Sequence, residues 1–140
     1  RRYPERFFGT IVLPMQDVKL AAQELERMAK EKCMRAVFIA VHINGKNLHE
    51  KEFWPIYERA EALGLPLFLT NLYPTGAERM KDHFMINVLG NPQEAGYAAM
   101  SLVCGGVLDA FDGGNRGVSI HIGRIRIYGD WHTVHHDGVA

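Results

Sequence analysis

Apolar residues fall into short unbroken runs separated by stretches of helical spacing. Phe7 to Pro14 (FFGTIVLP) is an apolar run closed by a proline and predicts a strand. Asp17 then stands as a helix cap before Val18, Ala21, Ala22, Leu25, Met28 and Ala29, whose spacing predicts an amphipathic helix. Ala36 to Ile43 (AVFIAVHI) predicts a second strand, apolar on both faces, and the turn NGKN follows. Glu50 to Gly64 predicts a helix stopped by Gly64, with Pro55 in its first turn or two. PLFLT, ending at Thr70, predicts the third strand. Strands that are apolar without alternation belong to a parallel sheet covered by helices, so the order β-α-β-α-β predicts an α/β fold.

Beyond Pro74 the texture changes. GAERMKDHFMINVLG and NPQEAGYAAMSLVCGGVLDAF predict two successive helices with no strand between them. Gly117 to Trp131 (GVSIHIGRIRIYGDW) predicts one or two strands. The alternation of Val118, Ile120 and Ile122 slips at Gly123 before Ile125 and Ile127, which suggests a bulge or bend. The tail HTVHHDGVA is polar and His-rich, and no internal repeat is visible.

The chain has 140 residues, the size of a single domain. Sixteen Lys+Arg balance sixteen Asp+Glu, so no net field draws in nucleic acid or an anionic membrane. The N-terminal RRYPERFFGT lacks the pattern of a signal peptide, and the longest apolar window, around Ala95 to Ala110, is broken by glycines. Cys33 and Cys104 sit in predicted helices without metal-ligand spacing and read as reduced packing residues. These features place the chain in the cytoplasm.

Candidate chemistry gathers at strand ends and in the tail. Thr70 and Asn71 sit at the exit of the third strand, and His42 at the exit of the second, where α/β sites form. His42 either lines that mouth or faces a loop. Asn44 is a turn residue first and a substrate contact second. Lys46 can meet a carboxylate, and Tyr73 either offers its phenol to a ligand or covers the sheet edge. His121 sits inside an apolar strand, as a structural histidine or as a metal ligand. His132, His135, His136 and Asp137 form the densest ligand-type cluster, with His132 and His136 on one face of either a helix or a strand. The same cluster also reads as a frayed polar terminus. There is no Gly-x-Ser-x-Gly and no phosphate loop, so a serine nucleophile or nucleotide chemistry has no support.

The segments RFFGTIVLPMQDVKLAAQELERM, NGKNLHEKEFWPIYERAEALGLPLFL, GAERM and GNPQEAGYAAMSLVCGGVLDAF, spanning about Tyr3 to Phe111, resemble the amidohydrolase-related metal-dependent hydrolases and decarboxylases. That group includes the aminocarboxymuconate-semialdehyde and resorcylate decarboxylases. The resemblance implies a partial (β/α)₈ barrel with a divalent metal, zinc by expectation, at the carboxyl ends of the strands, and hydrolysis or decarboxylation of a small carboxylic or aromatic acid. It covers residues 1–111, and residues 112–140 depart from it within the same single domain. The family's His-x-His pair has no counterpart here, and its ligand histidine at the end of the third strand is replaced by Thr70. SIHIGR would make His121 the counterpart of a second family histidine.

A full barrel takes about 250 residues. A half-barrel with open edges and an uncovered sheet face therefore predicts a homo-oligomer that takes a small-molecule substrate and no nucleic acid. The alternative expectation is a non-catalytic truncated barrel that folds by oligomerising, without the metal.

Overall fold

In the computed structural model of the chain, described for residues 6–71, 73–111, 120–122 and 125–127 (backbone alone for the last two segments), the first half follows the predicted order. Strand β1 is Gly9–Val12 and helix α1 is Val18–Ala29. Asp17 starts α1 as expected: its Oδ1 accepts the Leu20 amide at 3.0 Å, satisfying one of the donors that a helix start leaves open. Strand β2 is Met34–Ala40. It stops short of the expected end, because the chain bends at Val41 and enters a hairpin of β3 (His42–Ile43) and β4 (Lys46–Asn47). Asn44 at φ 51° and Gly45 at φ 78° form the hairpin turn, which needs two positive φ values in succession.

A 3-10 turn, Lys51–Phe53, leads into α2 (Trp54–Ala62), with Pro55 in the first turn where its missing N–H costs nothing. Gly64 at φ 63° ends α2, with its N–H on Glu61 O and the Leu65 N–H on Ala60 O. Strand β5 is Leu67–Thr70. After the loop that follows come α3 (Asn91–Cys104), α4 (Val107–Ala110), β6 (Ile120–Ile122) and β7 (Ile125–Ile127).

The sheet order is β1-β2-β5-β6-β7, parallel throughout except for β7, which pairs antiparallel with β6. The expected slip at Gly123 lies outside the described residues, between β6 and β7. Each parallel strand lies beside its predecessor in the chain, which is the order of a barrel wall; a doubly wound sheet would reverse direction partway.

Register sorts the two faces. Ile11, Val37 and Leu67 form one row, essentially inaccessible to water, and share a core with Leu25 of α1, Ile56 and Tyr57 of α2 and Leu102 of α3. The next row, Val12, Phe38 and Phe68, faces away from the helices, and Val12 is 69% exposed. Among the described residues, helices thus cover one face and none covers the other, which corresponds to a barrel interior, as expected for a partial barrel.

Two expectations fail. The segment GAERMKDHFMINVLG is not a helix: it holds a 3-10 turn at Ala77–Arg79 and a π-helical turn at Ile86–Gly90 that runs into α3. His83 (φ 53°) and Phe84 (φ 60°) lie in the left-handed region, and Phe84 and Val88 stay exposed. Exposed Phe84 and Val88 contribute little apolar burial to a helix there, and packing supplies most helix stability. The cysteines also differ from expectation. Both are free and exposed, Cys33 in the turn before β2 and Cys104 at the end of α3, so neither fills the core.

Candidate active site at the carboxyl ends of the strands

The carboxyl ends of β2 and β5 meet side by side. Ala40 is in register with Thr70, and the Val41 amide donates to the Thr70 carbonyl at 3.0 Å. Beyond that rung β2 leads into the β3–β4 hairpin, and β5 into residues 71 and 73–75. His42, at the base of the hairpin, reaches across to that loop: its Nε2 lies 3.2 Å from the Tyr73 carbonyl oxygen. Three buried side-chain atoms lack a hydrogen-bond partner among the described residues, namely His42 Nδ1, Glu61 Oε1 and Asn71 Oδ1. Two of the three are at this mouth. Buried polar atoms are normally paired, so each of these calls for a partner such as an ordered water or a ligand.

The framework behind the mouth is buried and hydrogen-bonded. Tyr57 on α2 is fully buried and donates its phenol to the Leu48 carbonyl at 2.7 Å, just past the hairpin. Burial pushes the Tyr57 pKa well above the ordinary phenol range, so the hydroxyl stays a donor. Trp54 Nε1 donates to the His49 carbonyl at 3.1 Å, and the Phe111 ring packs edge-on against both Trp54 and Tyr57.

On the other side, buried Glu94 of α3 accepts the Thr75 amide at 2.6 Å. Gly90 lies so close to the same loop that a Cβ there would stand 2.8 Å from Pro74 Cγ. Sequence reasoning missed Glu94, because a single glutamate in an apolar helix carries no local mark of a loop contact nineteen residues away.

The expected substrate contacts are only partly brought together. Thr70 and Asn71 are half-buried at the mouth, with Asn71 Oδ1 unpaired. Tyr73 is there through its carbonyl, but its ring is 86% exposed on a backbone at φ 54°. Asn44 is an exposed turn residue. Lys46 points its ammonium at Glu52, 2.8 Å away, and the Glu52 carboxylate raises the lysine pKa, chiefly through that hydrogen bond. The carboxylate that Lys46 meets is thus the protein's own. The backbone of His121 pairs in register with Phe68, two residues below the Thr70 rung. His132, His135, His136 and Asp137 lie outside the described residues.

The described residues do not make a metal site at this mouth. No three His, Cys, Asp or Glu side chains come together among them. The mouth offers one imidazole, an amide and the Thr70 hydroxyl, whereas zinc and manganese sites draw on several imidazoles or carboxylates. Open grooves of about 620 and 490 Å³ lie along α1 and between α1 and α2, and neither is lined by a mouth residue. Their linings hold no unpaired buried polar atom, so chemistry rather than volume locates the site. No helix among the described residues is long and apolar enough to cross a membrane.

Comparison with known proteins agrees with this geometry. Residues 1–139 match the family model described as amidohydrolase. The chain is 36% identical over 104 residues to a 2-amino-3-carboxymuconate-6-semialdehyde decarboxylase of Dictyostelium discoideum, covering 74% of this chain and 29% of that protein. It superimposes on the 5-carboxyvanillate decarboxylase of Sphingomonas paucimobilis with a TM-score of 0.74 at 27% identity, over 85% of this chain and 35% of that one. A dihydroxybenzoic acid decarboxylase of Polaromonas, solved with manganese and the inhibitor 2-nitroresorcinol, gives a TM-score of 0.68 at 25% identity, over 85% and 38% of the two chains. The chain thus spans roughly a third of the length of these relatives. The expected family ion was zinc, and the metal in that relative is manganese. With its barrel-ordered strands, one-sided helices and polar strand-end mouth, this chain belongs to the amidohydrolase family.

Proposed function

We propose that the chain forms part of the active-site wall of an enzyme that decarboxylates a small aromatic carboxylic acid. One observation carries the reading: two unpaired, water-shielded polar atoms, His42 Nδ1 and Asn71 Oδ1, at adjoining strand ends of a chain whose relatives are decarboxylases. In the reaction the bond from ring carbon to carboxylate breaks, CO₂ leaves, and the electron pair on the ring carbon takes up a proton. Thr70, Asn71 and His42 would hold and orient the acid at the end of β5. Asn44, Lys46 and Tyr73 would border the entrance, with Lys46 exchanging Glu52 for the substrate carboxylate. Any zinc or manganese would draw its ligands from outside the described mouth, with His121, His132, His135, His136 and Asp137 the proposed donors.

Val12, Phe7 and Phe8, exposed on or beside strand β1 at the sheet edge, support assembly into a homo-oligomer. Light scattering after size-exclusion chromatography should then give more than one chain per particle. A cytoplasmic location agrees with two unpaired cysteines.

The test is release of labelled CO₂ from carboxyl-labelled 2,6-dihydroxybenzoate and related acids, with no added metal, with zinc and with manganese. Release above the protein-free control in any arm supports the proposal. Silence in every arm rejects it and favours the non-catalytic reading.

A further inference from the structure

Helix α3 turns a face to water that differs from those of α1 and α2. Residues 85–108 hold one charged side chain, Glu94, and it is buried. By contrast α1 carries Lys19, Glu26 and Arg27 on its outer side, and α2 carries Glu58. The outward stripe of α3 runs through Gln93, Tyr97, Met100 and Cys104, alternating steps of four and three as in a helix-packing seam. The Gln93 amide reaches the Tyr97 hydroxyl at 3.4 Å, so these two share the stripe. Tyr97 is 56% exposed and Met100 58%, and Val88 and Leu89 are exposed in the π-helical turn that runs into α3.

Gly96 adds an independent mark. It is exposed in the helix interior without a positive φ, where alanine would hold the helix better. A Cβ there would meet nothing within 4 Å, so no contact among the described residues asks for glycine. A glycine on a helix surface does let a second backbone come close.

Composition agrees, since interface cores lose charge and gain aromatic residues and methionine. Val88, Leu89, Tyr97 and Met100 together expose on the order of 400 Å², half of the roughly 800 Å² that each partner gives to a stable pair. A charge-free face offers an oppositely charged partner nothing to read and gives its own copy nothing to repel, so a second copy fits it.

We propose that α3 packs on α3 of a second copy, the two helices crossing at Gly96 on a twofold axis with Tyr97 and Met100 closing over the contact. The inference rests on the homo-oligomer reading above and names the face that makes the pair.

The test is sedimentation of the intact chain over a range of concentrations. The wild type should sediment as a pair. Gly96→Leu and Met100→Glu should each raise its dissociation constant by about tenfold or more, the effect of losing a central contact. Both positions face water, so the far-ultraviolet circular dichroism should stay that of the wild type. Gly96→Ala separates folding from pairing: it should raise the thermal midpoint at high dilution and still weaken the pair. Pairing as tight as the wild type's in Gly96→Leu and Met100→Glu overturns the α3 face and leaves the homo-oligomer reading standing on β1. A wild type that stays a single chain at every concentration, its α3 face left to a different protein or to a further part of a longer chain, overturns both.

Discussion

Replacing Tyr57 by Phe isolates one hydrogen bond that ties the helical layer to the mouth. The ring is fully buried and sits edge-on to Phe111 at 5.9 Å between centroids, so Phe keeps the packing and removes only the hydroxyl. The loss is not confined to that bond, because the Leu48 carbonyl, which accepts it at 2.7 Å, is left without this partner. An unsatisfied buried acceptor costs about 1–3 kcal/mol. With a loss of about 2 kcal/mol and a urea m-value of about 2 kcal/mol/M, the midpoint should fall by about 1 M at constant slope.

Alkali gives a second signature. The Tyr57 pKa is raised by burial, so the fold favours the protonated phenol. This contribution is complete below the unfolded tyrosine pKa of about 10 and is lost as pH rises beyond it. The stability gap between wild type and Tyr57→Phe should therefore stay constant from neutral pH to about 9 and then narrow as the wild type loses stability faster. An unchanged urea midpoint in Tyr57→Phe would refute the reasoning, since it would mean that water replaces the phenol at Leu48.

Three other substitutions probe the remaining supports. Asp17→Ala removes the α1 cap and should lower stability by about 1 kcal/mol, read as a shift in urea midpoint. Gly105→Ala would drive a methyl group into His49 Cβ and the Ser101 carbonyl, and overpacking of this kind costs about 1–3 kcal/mol, measurable by thermal unfolding. Glu94→Ala leaves the Thr75 amide without its acceptor and should raise hydrogen exchange there while α1 amides stay protected.

The stretch from Phe7 to Thr70 was readable because each element satisfies its local pattern and its tertiary role together. Asp17 caps where a cap was expected, Gly64 ends α2 at positive φ, and the apolar runs become β1, β2 and β5. Residues 76–90 were not readable, because Phe84 and Val88 have the spacing of a helix face but stay exposed. At the mouth, Thr70 and Asn71 were legible as a polar strand exit. The pairing of His42 with the Tyr73 carbonyl was not, since it joins residues 31 apart through backbone geometry that no local pattern encodes. The ion pair of Lys46 was not legible for a related reason: its partner Glu52 comes within reach only once the hairpin folds.

The claim that ligands bind at the carboxyl ends of β2 and β5 is tested most directly by mapping backbone amide shifts during titration with 2,6-dihydroxybenzoate. The account predicts the largest saturable changes in residues 40–47 and 70–76. It is contradicted if the changes centre on Leu20, Gln23 and Arg27 in the groove along α1, or if no amide moves at all.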